Sequence, residues 1–93
     1  MEENKVRVIT IPESVAQDGK LSGSAMRALL TIFTVPDGEP ITATRLAELI
    51  PCQSSLSTWR GLRQLEERGW LVKSAELLEG HAAVVYKLAG GAA

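Results

Sequence analysis

Two prolines and a glycine within Val35-Pro36-Asp37-Gly38-Glu39-Pro40, followed by Pro51 and Gly69, break the chain into short segments. Such a chain must assemble its core from several small elements. Ahead of the first break, Ser22 or Ser24 can cap a helix in which Met26, Leu29, Leu30 and Phe33 recur on one face, and these are predicted core. Between the breaks, Thr42 is the predicted N-cap of a second helix bearing Leu46, Leu49 and Ile50, ended by Pro51. Cys52-Gln53-Ser54-Ser55 forms the connection, and its serines can cap a third helix that runs through Leu62 and Leu65 to a stop at Gly69.

Different patterns flank the helices. Val6-Arg7-Val8-Ile9-Thr10-Ile11 reads as a strand halted by Pro12, edging a small sheet, with Gln17-Asp18-Gly19-Lys20 as the following loop. Trp70-Leu71-Val72-Lys73 and Ala82-Ala83-Val84-Val85-Tyr86-Lys87-Leu88 read as a β-hairpin turning at Glu79-Gly80-His81. Residues 1–5 are expected to be disordered and Gly90-Gly91-Ala92-Ala93 to form a flexible tail, leaving one α+β domain over residues 6–89.

At 93 residues, 45% hydrophobic and 23% charged, the chain suits one domain that buries roughly two-thirds of its unfolded surface. No apolar run approaches the ~20 residues that span a bilayer and no leader pattern opens the chain, so no membrane association and a cytoplasmic, nucleoid-associated location are expected. Cys52 is the lone cysteine, a small buried hydrophobe by type, and His81 the lone histidine, a turn residue. No disulfide or zinc cluster can be built from them, and no cofactor is expected. The glycines are dispersed rather than gathered into a phosphate-binding loop, and no nucleophile elbow is present, so catalysis is not expected.

Thr44-Arg45-Leu46-Ala47-Glu48-Leu49-Ile50 and Leu62-Arg63-Gln64-Leu65-Glu66-Glu67-Arg68-Gly69-Trp70-Leu71, with Val8-Ile9-Thr10-Ile11-Pro12 and Leu21-Ser22-Gly23-Ser24-Ala25, resemble the winged helix-turn-helix family of bacterial transcription and plasmid or phage replication regulators. The resemblance covers about residues 7 to 88. It implies three helices packed on a hairpin wing, with the third helix reading double-stranded DNA. The expected fold also carries an extra N-terminal strand.

The residues carry a physical version of the same expectation. With Leu62 and Leu65 inward, Gln53, Ser57, Arg60, Gln64 and Glu67 should face outward and Arg63 lie on the flank. Glutamine and serine can address base edges, arginine a guanine or a phosphate, and the helix start near Ser54 and Ser55 a phosphate. Thr44 and Arg45 on the second helix, Arg27 on the first and Lys73 on the hairpin extend the predicted DNA contacts. The net charge is −1, so the basic groups must be locally concentrated: residues 51–69 hold Arg60, Arg63 and Arg68 against Glu66 and Glu67, a balance of +1.

Three features point elsewhere. Trp59 falls at the edge of the apolar arc, where burial against the hairpin or first helix is expected; were it exposed beside Leu56, it would favour a protein partner or a DNA-deforming contact. The hairpin tip offers Glu79 where the family carries Arg or Lys. Leu77, Leu78, Val84 and Val85 exceed what a two-stranded wing requires, so a homodimer is expected. The second functional reading is accordingly a protein-interaction or dimerisation module.

Overall fold

The computed structural model describes residues 9–36, 38–51 and 53–89. Over these the chain forms α1 (Glu13–Ala16), α2 (Gly23–Ile32), α3 (Ala43–Leu49), α4 (Ser55–Glu67) and an antiparallel hairpin of β1 (Leu71–Leu78) and β2 (His81–Leu88). This is an α+β domain with four helices rather than the three expected. Among the described residues no helix is long and apolar enough to cross a membrane.

The breaks fall where predicted, through side-chain caps. The hydroxyls of Ser22, Thr42 and Ser54 accept the backbone N–H of Ala25, Arg45 and Ser57 at 3.0–3.1 Å, each satisfying a donor left orphaned by a helix start. Ile50 leaves α3 outside the helical region that a residue before proline disfavours (φ −122°, ψ 71°). At the end of α4, Gly69 takes φ 83°, its N–H donates to the Glu66 carbonyl and Trp70 N–H donates to the Leu65 carbonyl, the paired bonds of a Schellman stop.

The N-terminal strand is a correction. Val6, Arg7 and Val8 of that segment, like the expected disordered start and the 90–93 tail, lie outside the described residues, and Ile9–Ile11 forms no strand. Pro12, with φ −58° and no N–H to lose, opens α1 instead of only ending a strand. The hairpin's outer neighbour is Ile41, whose carbonyl accepts the Tyr86 N–H at 2.8 Å. The hairpin is also longer than predicted: β1 continues through Leu78, and Glu79 (φ 52°) and Gly80 (φ 83°) make a two-residue turn of the I′ kind, with His81 already in β2.

The core is centred on Val15, Leu29, Ile32, Leu46, Ile50, Leu62, Leu65, Trp70 and Leu71. On α2 the most buried positions are Ala25, Ala28, Leu29 and Ile32, whereas the predicted Met26, Leu30 and Phe33 pack at its margin. The cause is the crossing of α2 and α4. A Cβ on Gly61 would stand 3.0 Å from the Ala25 Cα and 3.0 Å from the Ser24 carbonyl, so the two backbones nearly touch and only small residues fit between them. Leu49, predicted core, is partly exposed at the end of α3.

Asp18 ties three segments together. Its carboxylate, 5% exposed, accepts the Trp70 indole N–H at 2.7 Å, the Arg68 guanidinium at 3.2 and 3.3 Å, and the Lys20 N–H at 3.1 Å. The Trp70 bond above all, then Arg68 and Lys20, hold its pKa below the ordinary 3.8 despite the opposing effect of burial.

Two expectations follow from this packing. Gly61→Ala gains ~1 kcal/mol of helix propensity but overpacks a backbone contact, at a cost of about 1–3 kcal/mol, so net destabilisation is expected by chemical denaturation, and more with Gly61→Val. Because the Asp18 pKa is depressed in the folded state, its contribution is complete above the unfolded carboxylate range and lost as pH falls through the folded value. Asp18→Asn should therefore lower the melting temperature at neutral pH, and the deficit should shrink when the comparison is repeated at a pH below the ordinary carboxylate range. A deficit of equal size at both pH values would refute this account.

Candidate nucleic-acid interface

Thr58, Gly61, Leu62 and Leu65 define the buried side of α4. The opposite side carries Leu56, Arg60, Arg63 and Glu67, all exposed or nearly so and covered by no other described element. Trp59 stands beside them and is 48% exposed, with Leu56 at 53%. The expected burial of Trp59 is therefore a correction. The close approach at Gly61 turns α4 so that its contact with α2 is centred on Thr58 and Gly61, which swings Trp59 roughly 110° from the middle of the buried arc.

The predicted reading residues divide into two groups. Arg60 is exposed and has no hydrogen bond or ion pair among the described residues. Thr44 and Ser55 are exposed at the starts of α3 and α4. Arg63 is 65% exposed, lies 5.7 Å above the Trp59 ring centre and is 3.8 Å from Glu67. Gln64, by contrast, does not face outward: its Oε1 accepts the Ser22 N–H at 2.7 Å, linking α4 to the start of α2. Gln53 is half-buried and donates from Nε2 to the Thr58 hydroxyl, tying the α3–α4 connection down. Ser54 is engaged as the cap and also donates to the Ser57 hydroxyl, so these two serines hold the helix start.

The charge on this surface is balanced. Arg45 lies 4.0 Å from Glu39 and 3.9 Å from Glu48, and Lys73 lies 3.7 Å from Glu66. Arg45, Arg60, Arg63 and Lys73 are thus matched by Glu39, Glu48, Glu66 and Glu67, and the expected concentration of positive charge is confined to Arg60. Pairs this long and this exposed contribute at most about 1 kcal/mol each, so an arriving phosphate can displace the carboxylates at little cost. Arg27, the remaining predicted flanking cation, lies on α2, and Arg68 is committed to Asp18.

Trp59 borders two concavities. One, of about 460 Å³, lies between α3 and α4 and is lined by Ala43, Thr44, Ala47, Glu48 and Ser55. The other, of about 300 Å³, opens toward the hairpin between Arg63, Glu66, Lys73 and Tyr86. Burial, and then the nearby Glu66 charge, raise the Tyr86 pKa above its ordinary 10.0, so its phenol stays neutral at physiological pH. Among the described residues no group of three or more His, Cys, Asp or Glu is placed to hold a metal ion; Cys52 lies outside them.

The sequence signal that could have exposed Trp59 is Gly61 itself, since a glycine inside a helix marks a close backbone approach and so fixes which side faces inward. Comparison of the chain with protein-family models, with curated proteins and with solved structures returns no match.

Proposed function

We propose that this chain is a winged helix-turn-helix domain that binds double-stranded DNA, with α4 entering the major groove and the β1–β2 hairpin acting as the wing. The observation that carries the reading is the open outward side of α4, where Arg60, unpaired among the described residues, and the neighbouring Arg63 project beyond a serine-capped helix start. Support also comes from the chain order: α2, the Ile41 contact to β2, then α3, α4 and the hairpin. The sharp α3–α4 connection at Pro51 suits two helices set at an angle. Arg60 is the first choice for a guanine or phosphate contact, Arg63 for the flanking backbone, and Thr44 and Ser55 for hydrogen bonds at the groove edge. With so few cations unpaired among the described residues, a single domain binds weakly, and its affinity falls only shallowly with salt.

Leu56 and Trp59 favour a second reading, a winged helix that uses the same side of α4 for a protein. Two half-exposed apolar side chains beside an arginine are what a binding hot spot is made of.

Selection of bound sites from random duplex DNA at two salt concentrations tests the first reading directly. Arg60→Ala with Arg63→Ala should abolish the shift while leaving the fold intact. Removing either arginine alone, if it grips a phosphate, should flatten the slope of log affinity against log salt by about 0.9. Glu67→Gln, which frees Arg63 from its carboxylate, should tighten binding. No shift even at low salt, together with stoichiometric capture of a protein that Trp59→Ala abolishes, would replace the DNA reading with the second one.

A further inference from the structure

We propose that the outer edge of β1, from Val72 to Leu78, pairs antiparallel with the same edge of a second copy about a twofold axis at Ala75, joining two hairpins into one four-stranded sheet.

The direction of the main-chain groups follows from the hydrogen bonds. Tyr86 spends its N–H on Ile41, outside the hairpin, so Tyr86 and its cross-strand partner Lys73 form a non-hydrogen-bonded pair. Lys73 therefore turns its own N–H and C=O away from β2. By alternation Ala75 and Leu77 do the same, and these groups have no partner among the described residues. The outer edge of β2 is in part occupied by Ile41, whereas no described residue pairs with that of β1.

Natural sheets protect such an edge with proline, a bulge or charge. Between Leu71 and Leu78 there is no proline, and the register with β2 is uninterrupted. The strand's two charges are both engaged within the domain, Lys73 drawn back toward Glu66 at the root of the hairpin and Glu76 paired with Lys87 of β2 at 2.6 Å. The far half carries Leu77, 75% exposed, with Ala75, Ala82 and Val84 on the same face, Val84 being 50% exposed. Eight residues of strand reach about 26 Å, but burial at Leu71, Val85 and Tyr86 is confined to the root half, and a two-stranded far half standing in water is marginal by itself.

A second copy is the occupant because the strand complements itself. About Ala75, Val72 falls opposite Leu78 of the other copy, Leu77 lies along the aliphatic stem of Lys73, and Glu76 faces Ser74. Apolar meets apolar, no like charges oppose one another, and the arrangement is isologous, as a twofold contact requires. Neither Arg60 nor Arg63 takes part, so the pairing can be tested separately from DNA binding by α4.

Sedimentation equilibrium of the full chain at roughly 100 µM, a concentration that saturates a micromolar Kd, should give twice the 10.0 kDa chain mass. Ala75→Pro removes both bonds exchanged at the axis yet spares the hairpin, because this N–H points away from β2; dimerisation should weaken roughly 30-fold. Hydrogen exchange on the unsubstituted chain gives a reading independent of that variant's folding. The amides of Lys73, Ala75 and Leu77 should become protected as concentration rises, while those of Ala82 and Val84 on the far edge should not. A monomeric mass at this concentration, a dimer indifferent to Ala75→Pro, or concentration-dependent protection located elsewhere would each overturn the proposal.

Discussion

The contact on which the rest of the architecture depends is the near-touching of two backbones, α2 at Ala25 and α4 at Gly61. Once these helices approach so closely, the rotation of α4 about its own axis is no longer free. Thr58, Leu62 and Leu65 must then point inward, and Leu56, Trp59, Arg60 and Arg63 must line the accessible side or its border. Gln64 falls where its carbonyl meets the first turn of α2. A missing side chain thereby decides which chemistry the outward surface can offer.

That surface is less basic than its arginine count suggests. Three of its four cations already sit near carboxylates. Long, solvated pairs of this kind place little free energy in the way of a competing anion, but they do remove the long-range field that would draw DNA in. Recognition by such a surface would depend on short-range fit more than on electrostatic steering. The Arg63 guanidinium resting over the Trp59 indole adds rigidity, since a stacked arginine loses less freedom on binding than one swinging in solvent.

Much of the fold was legible because it is punctuated by local chemistry. Ser22, Thr42 and Ser54 cap the helices as their residue types require, and Pro51 and Gly69 stop them for reasons confined to a few neighbouring residues. What the sequence hid depends on contacts between distant segments. Residues 13–16 go unassigned in the sequence and Gln17-Asp18-Gly19-Lys20 reads as a loop, because nothing nearby shows that Val15 enters the core or that Asp18 meets residues some fifty positions away. The extra length of β1 is masked by Ser74 and Glu76, whose propensities are overridden by ladder bonds to β2. Within the candidate site, the outward placement of Arg60 follows from periodicity alone, whereas Arg63, expected on the flank, stands on the outward side. Gln53 and Gln64 are not the outward readers that periodicity suggests, because an amide gives no sign in the sequence of which backbone or hydroxyl will claim it.

The turn at Glu79 and Gly80 acts as a fixed ruler for the hairpin. Two residues, both with positive φ, leave the strands no slack, so Leu71 is held opposite Leu88 and Lys73 opposite Tyr86. Side chains alternate strictly between faces, and lengthening one arm by a single residue would turn Leu71 outward and bring Val72 in its place. The sheet would then lose its grip on the helices from the root upward. In this domain the reversal farthest from the core sets the alignment on which the core closes.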